Sequence, residues 1–173
     1  MSEDHEDNPF AADVAGVDVK PATYVLFGAS GDLAAKKLLP AVYNLFIEGR
    51  LPERFRLLGI GSSMPEHTFK AHMTAVVTEH SRTPVDPAQL ERLLERCDYI
   101  QGDFTKPELF DELKKNLEEG DAKLGGPTRR LFYLAVAPRF FGPIAKSLHK
   151  VGLAKGADPE SVLMIEKPFG HDL

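Results

Sequence analysis

Glycines and small polar residues follow the first strongly apolar segment, in the string Gly28-Ala29-Ser30-Gly31-Asp32-Leu33-Ala34. Because Gly28 and Gly31 lack a Cβ atom, they allow a tight turn whose backbone can touch a ligand. The helix predicted next would point its free N–H groups and the positive end of its dipole into the turn, where a pyrophosphate would bind. Ser30 adds a hydroxyl donor, and Ala34 is small where the helix must pack on the strand. The string therefore predicts a phosphate-binding turn, with a purely structural strand-to-helix connection as the alternative.

The glycine spacing is looser than the dinucleotide pattern G-x-G-x-x-G, and the Walker pattern G-x-x-x-x-G-K-[ST] is absent. A hydrolase elbow, G-x-S-x-G, is also excluded because Asp32 stands where the second glycine would be needed. A carboxylate beside a phosphate is repulsive, so we expect Asp32 to serve the first turn of the helix or to bond nearby backbone amides. Lys36 or Lys37 would approach the phosphate from the same helix.

The residues after the second predicted strand bear on which coenzyme binds. An NAD site usually has an acidic residue there for the ribose 2′-hydroxyl, but this segment reads Gly61-Ser62-Ser63-Met64. The missing acid favours a 2′-phosphate, although no arginine is present to bind one, and the two serines can donate hydrogen bonds instead. The sequence thus favours NADP, with NAD as the alternative.

The elements that must position these residues alternate along the chain. Strands are predicted at 23–27, 55–60, 98–101, 130–136 and 161–165. Helices are predicted at 32–48, 66–80, 88–97, 105–119, and from 138 or 140 to 151. This alternation predicts an α/β fold, a Rossmann-like, doubly wound, mainly parallel sheet with helices on both faces. Ligands bind beyond the carboxyl ends of such strands, where the glycine string, Ser62 and Lys167 all fall.

Three local signals refine the helices. Pro40 should kink or split the first helix, because proline lacks the N–H that a helix interior needs. Asp86 is expected to cap the third helix, with Pro87 in its first turn. Thr105 and Glu108 have the spacing of a capping box, which would start the fourth helix at Thr105.

Composition narrows the class of protein. The net charge is −5 and no block rich in lysine or arginine occurs, which argues against nucleic-acid binding. No apolar run approaches the ~20 residues that a membrane span needs. Cys97 is the single cysteine, which excludes an internal disulfide and favours a reducing, cytoplasmic location. The histidines and carboxylates do not cluster as metal ligands, so no metal site is expected. Residues 1–21 are expected to form a disordered acidic tail and 22–173 one domain.

Two strings together, FGASGDLAAKKLLPAVYNLFIEGRLP and LMIEKPFGHDL, resemble the coenzyme-binding region of the glucose-6-phosphate dehydrogenase family. The resemblance runs from about Thr23 to the last residue. It implies that the turn residues hold the NADP pyrophosphate, with Lys37 close by. It also implies that Lys167 contacts both the sugar phosphate and the nicotinamide end, and that the bond before Pro168 is cis or unusually placed.

The chain departs from the family pattern at three places. Ser62 stands where an arginine commonly contacts the 2′-phosphate, and Phe141 stands where many members have a tyrosine near the coenzyme. The histidine base of the family lies in a downstream R-I-D-H-Y-L-G-K-E stretch that this sequence does not contain. We therefore expect no catalytic base in this chain, which would be a coenzyme domain truncated after the fifth strand.

The resemblance implies a reaction for the complete family member, the oxidation of glucose 6-phosphate to 6-phosphogluconolactone with NADP as hydride acceptor. It also implies that the full-length protein is a homo-oligomer. A short-chain reductase is disfavoured because no tyrosine has a lysine four residues on. A non-catalytic nucleotide-binding or subunit-interaction fragment is the alternative.

Overall fold

Five parallel strands form one sheet in the computed structural model, which describes residues 20–155 and 160–166. The strands lie in the order β3-β2-β1-β4-β5, and every pairing is parallel. Their bounds are Ala22–Phe27 (β1), Phe55–Gly61 (β2), Cys97–Gln101 (β3), Arg129–Leu134 (β4) and Ser161–Ile165 (β5). All five agree with the predicted strands to within two residues at each end, because short apolar runs are typical of strands that are covered on both faces.

Helices join consecutive strands and cover the two faces of the sheet. Their bounds are Ala34–Leu38 (a π-helical segment), Leu39–Ile47 (α1), Phe69–His80 (α2), Pro87–Leu94 (α3), Pro107–Lys123 (α4) and Phe141–Lys150 (α5). Short 3-10 turns precede α2 and α5, at Glu66–Thr68 and Pro138–Phe140. Among the described residues, no helix combines the length and apolar character that crossing a bilayer requires.

Side chains of the central strand alternate between two buried clusters. Leu26 packs in a cluster with residues of α1, α2 and α3, whereas Val25 and Phe27 pack in a second cluster with residues of α4 and α5. These three side chains are at most 3% exposed, and burying each contributes about 1.5–3 kcal/mol. The helices therefore lie on both faces, which confirms the predicted Rossmann-like, doubly wound α/β fold.

Pro40 is accommodated by a change of helix type. The segment before it is π-helical, and the Leu39 N–H donates to the Ala34 carbonyl oxygen, five residues back. The wider turn places Pro40 in the first turn of α1, where the missing N–H leaves no α-helical bond broken. The predicted split at Pro40 is therefore wrong: helical backbone runs without a break from residue 32 to 47, and the proline is accommodated by the π-to-α transition.

Three helix boundaries differ from the predicted ones: both ends of α4, and the end of α3, which stops at Leu94 because Cys97 belongs to β3. The capping box at Thr105 and Glu108 does not form; α4 begins at Pro107, and Lys106 before it is extended, with φ −102° and ψ 128°. Proline disfavours helical backbone in the residue before it, so the helix cannot include Lys106. At its other end α4 continues through Gly120, which the sequence placed in a loop. The predicted cap at Asp86 is confirmed, since its carboxylate accepts the Ala88 N–H at 2.9 Å.

Several predictions fall on residues outside the described ranges. The acidic tail was predicted for residues 1–21, of which 1–19 are not described, and Lys167, Pro168 and the rest of the C-terminal motif follow the last described residue, Glu166. Those predictions remain untested.

Candidate functional site

The glycine turn follows β1 at the carboxyl edge of the sheet and is fixed by both neighbouring strands. Gly28 has φ +85°, and a Cβ atom there would overlap the Ala135 carbonyl oxygen and lie 2.9 Å from its carbon. The N–H groups of Gly28 and Ala29 both donate to the Ile60 carbonyl of β2, at 2.8 and 3.1 Å. Glycine is therefore required at position 28 for two reasons, its backbone conformation and its contact with the end of β4.

The turn leaves a set of backbone donors facing the start of the helix. Gly31 N–H is used within the turn, where it donates to the Gly28 carbonyl at 2.9 Å. The hydrogen bonds of the described residues leave the N–H groups of Ser30, Asp32 and Leu33 without a partner. These amides lie at the positive end of the helix that continues into α1, an arrangement that favours a phosphate group.

Two serine hydroxyls meet beside these amides. Ser30 Oγ lies 3.1 Å from Ser63 Oγ, so a hydroxyl of the turn is hydrogen-bonded to one that follows β2. Ser62, the predicted contact, is exposed next to this pair, and its carbonyl accepts a long 3.4 Å bond from the Gln101 side chain. The structure thus places both serines at the site and shows that Ser63 is the one bonded to the glycine turn.

Charges around the turn are partly neutralised. Asp32 forms an ion pair with Lys36 at 2.8 Å, and both side chains are exposed. Of the two roles expected for Asp32, the structure shows the one in the first turn of the helix: its carboxylate pairs with Lys36 one helical turn on, and not with backbone amides. This contact raises the pKa of Lys36. Lys37 is exposed and makes no ion pair with the described residues, so its charge is available to an anion.

The ends of β4 and β5 bring a tyrosine and a carboxylate to the same edge of the sheet. The Tyr133 hydroxyl donates a hydrogen bond to Glu166, the residue that immediately precedes Lys167. Burial raises the pKa of Tyr133, and the Glu166 carboxylate raises it further. Phe141 begins α5 and packs with the cluster on the α4–α5 face, whereas the glycine turn packs through Ala29 and Ala34 on the opposite face.

Sequence reasoning did not select Tyr99 of β3, which lies beneath the turn. Tyr99 is 8% exposed and its ring stacks on Phe69, with centroids 4.9 Å apart. A Cβ atom on Gly59 would lie 2.8 Å from Ala29 Cβ and 3.0 Å from the Tyr99 ring, so this glycine lets turn and ring approach β2. The signal in the sequence was the spacing Gly59-x-Gly61, because two glycines on one face of a strand mark a close approach.

A family model described as the NAD binding domain of glucose-6-phosphate dehydrogenase matches residues 25–173. The chain belongs to the glucose-6-phosphate dehydrogenase family. The match includes both strings on which the sequence resemblance was based, and it confirms that resemblance.

Individual relatives agree with the family match. Glucose-6-phosphate 1-dehydrogenase 2 of Mycobacterium tuberculosis strain H37Rv is 41% identical over 155 residues, which cover 88% of this chain and 30% of the relative. Glucose-6-phosphate 1-dehydrogenase of Schizosaccharomyces pombe is 40% identical over 157 residues, covering 86% of this chain and 29% of the relative. The chain therefore spans about 30% of the length of the curated relatives that it matches.

Solved structures of the family have the same fold. A glucose-6-phosphate dehydrogenase in complex with its substrate glucose-6-phosphate superimposes with a TM-score of 0.73 and 31% identity, covering 88% of this chain and 31% of that one. The glucose-6-phosphate 1-dehydrogenase of Mycobacterium avium gives a TM-score of 0.72 and 29% identity, covering 89% of this chain and 31% of that one. The N-terminal nucleotide-binding region of the family is thus the part to which this chain corresponds.

Proposed function

We propose that this chain binds NADP at the glycine turn, with the pyrophosphate on the free amides of Ser30, Asp32 and Leu33 and the 2′-phosphate at the paired hydroxyls of Ser30 and Ser63. The observation that carries the proposal is the convergence of these amides with the hydroxyls of Ser30 and Ser63 at one helix start. Ala29 and Ala34, both fully buried, hold the turn against the sheet, and Gly31 closes it. The coenzyme would accept the hydride, while the residues of this chain bind and orient it.

The preference for a 2′-phosphate is supported by the charges near the end of β2. Glu66 is the first carboxylate after that strand, and its side chain accepts the Gln101 N–H at 3.3 Å, so it is engaged with β3. Ser62 and Ser63 stand where a ribose-binding acid would otherwise be expected. Hydroxyl donors and the unpaired Lys37 suit a phosphate dianion better than they suit a neutral ribose hydroxyl.

Calorimetric titration of the chain with NADP and with NAD tests this proposal. We expect NADP to bind more tightly than NAD. The double variant Ser30→Ala, Ser63→Ala should lose on the order of 10²–10⁴-fold in NADP affinity, because each of the two hydrogen bonds to a charged group contributes about 1.5–3 kcal/mol. Ser147→Ala, on α5, is the matched control and should bind as the wild type does. Equal affinity for the two coenzymes would contradict the 2′-phosphate preference, and no binding of either would contradict the site.

We propose further that the protein to which this chain belongs oxidises glucose 6-phosphate with NADP, and that Lys167 contacts the sugar phosphate. Glu166, held by Tyr133, brings the chain to the carboxyl edge of the sheet immediately before that lysine. No sequence match to the family's base-bearing stretch is present in the 173 residues. We therefore expect the chain by itself to reduce NADP at a rate lower than that of a base-carrying chain by a factor on the order of 10²–10⁴. NADPH absorbance with and without glucose 6-phosphate tests both points.

Assembly with other subunits is a second proposal, and the exposed apolar side chains of β5 favour it. Val162, Met164 and Ile165 are 40%, 42% and 47% exposed at the edge of the sheet. Sedimentation of the chain alone and with a full-length relative distinguishes the cases, since a purely monomeric profile in both would contradict an interaction role. We also propose a cytoplasmic location, supported by the single buried free thiol of Cys97.

A further inference from the structure

The hydroxyl of Tyr99 is a buried polar group that the site described above leaves unused. Its oxygen is shielded from solvent and reaches full hydrogen-bond geometry with no described residue, although the Ser30 side chain and the Met64 backbone lie close to it. A buried hydroxyl without a partner is costly, and such groups in native proteins are nearly always satisfied. The hydroxyl therefore points to a state of the site in which it has a partner.

The space in front of this hydroxyl is kept open by Gly61. A Cβ atom on Gly61 would overlap the Tyr99 hydroxyl and lie 2.6 Å from Ser30 Oγ. The missing Cβ atom thus gives two hydroxyls room beside the same glycine, one from β3 and one from the turn. The stacking of the Tyr99 ring on Phe69, with an interplanar angle of 20°, fixes the direction in which the hydroxyl points.

The Ser30 hydroxyl can bond a phosphate and a second hydroxyl at the same time, provided that its own proton points to the phosphate. In the structure it is hydrogen-bonded to Ser63 at 3.1 Å. A serine hydroxyl has one proton and two lone pairs, so Ser30 can donate to a phosphate and accept from another donor at the same time. Burial raises the pKa of Tyr99 by more than the contacts with the Ser30 side chain and the Met64 backbone lower it, so its phenol stays protonated and able to donate at neutral pH.

We propose that Tyr99 is a positioning residue for a 2′-phosphorylated dinucleotide: it donates a hydrogen bond to Ser30 Oγ in the bound state and so directs the Ser30 proton to the phosphate. No covalent bond changes, and the proton of each hydroxyl stays on its own oxygen. The proposal rests on the proposed function, because it needs the phosphate to bind at the serine pair.

Tyr99→Phe tests the proposal while keeping the ring and its stacking. We expect NADP affinity to fall about 3- to 10-fold, since one neutral hydrogen bond is lost, while NAD affinity stays unchanged. The ligand-free chain should unfold at the same or a higher urea concentration, because an unsatisfied buried hydroxyl has been removed. A merely structural tyrosine would lower stability and would weaken both coenzymes alike.

Tyr43→Phe is the matched control. Tyr43 is fully buried in α1, and its hydroxyl already accepts the Asp86 N–H at 2.9 Å. Removing it should lower stability and leave NADP affinity unchanged, the reverse of the pattern expected for Tyr99. Since Tyr99 acts through Ser30, the double variant Tyr99→Phe, Ser30→Ala should bind NADP no more weakly than Ser30→Ala does alone.

The outcomes separate this proposal from the proposed function. Unchanged NADP affinity in Tyr99→Phe, an equal loss for NAD, or additive losses in the double variant would each overturn the role of Tyr99 while leaving the coenzyme site intact. If the wild type binds neither NADP nor NAD, the proposed function fails and the role of Tyr99 fails with it.

Discussion

Gly28→Ala should lower the free energy of unfolding more than an alanine substitution at any other described glycine with a left-handed backbone. Alanine at φ +85° costs about 1–2 kcal/mol, because the backbone conformation brings Cβ against the following carbonyl. The new Cβ would also overlap the Ala135 carbonyl oxygen. Ala135 cannot move away freely, since its N–H donates to the Phe27 carbonyl at 2.9 Å and so joins the ends of β4 and β1.

The two costs add because they act on different groups. Losing the bond between Ala135 and Phe27 costs about 1–3 kcal/mol when the groups stay buried. Gly28→Ala should therefore lower the free energy of unfolding by about 2–5 kcal/mol, a large part of the 5–15 kcal/mol typical of a native protein. NADP affinity should fall as well, because the displaced turn no longer presents the amides of Ser30 and Asp32 together.

Urea unfolding followed by circular dichroism measures this effect, and Gly49→Ala isolates its conformational part. Gly49 has φ +67°, and a Cβ atom there would meet nothing within 4 Å, so its substitution should cost only about 1–2 kcal/mol. Gly142→Ala, in open space within α5, should be neutral or stabilising. If Gly28→Ala unfolds at the same urea concentration as Gly49→Ala, the contact with Ala135 has no energetic weight and our reasoning about the turn is wrong.

Three further predictions concern groups away from the turn. Asp121→Ala should lower the free energy of unfolding by about 2–3 kcal/mol, because it leaves the largely buried Arg130 without its 3.0 Å ion pair. Urea unfolding measures this loss, and calorimetry should show an unchanged NADP affinity. Burial lowers the pKa of His72, so its imidazole binds a proton more readily in the unfolded chain than in the folded one. The free energy of unfolding should therefore fall as the pH drops below about 6.5, the ordinary pKa of histidine. His72→Gln should flatten that dependence in urea titrations from pH 7 to 5, while the exposed control His67→Gln should keep it. Burial raises the pKa of the Cys97 thiol to about 12, so Ellman's reagent should not react with the native chain at pH 8 and should react at once in urea; rapid native reaction would contradict the buried position.

The sheet could be predicted from the sequence because each strand carries its own signal. Val25 and Leu26 belong to opposite faces, yet both are buried, so the run that contains them is continuously apolar and short. The cap at Asp86 was equally readable, since an acidic side chain followed by proline is typical of a helix start. The glycine turn and the family also followed from local strings.

The errors came from contacts between residues that are distant in sequence, and from a competing local rule. The helix start at Pro107 was missed because the Thr105–Glu108 spacing was preferred over the constraint that proline places on Lys106. The place of Gly120 within α4 reflects a contact with β2, because the Arg56 guanidinium occupies the space that a Cβ on Gly120 would fill. The pairing of Ser30 with Ser63, and the position of Tyr99 beneath them, likewise required the register of β1, β2 and β3.

The anchoring of Gly28 has a consequence for how a newly made chain acquires its site. The glycine string is complete once the residues up to Ala34 have been synthesised. The turn, however, donates its hydrogen bonds to Ile60 and packs against Ala135, and both of these residues leave the ribosome later. A nascent chain whose β1, β2 and β3 have left the ribosome would contain every residue of the string. It would still lack the contact with Ala135, which fixes the conformation of Gly28. The proposed binding of a nucleotide at this turn thus depends on long-range strand assembly, which is a slow step in folding. Binding of the coenzyme would accordingly mark the moment at which β4 has docked.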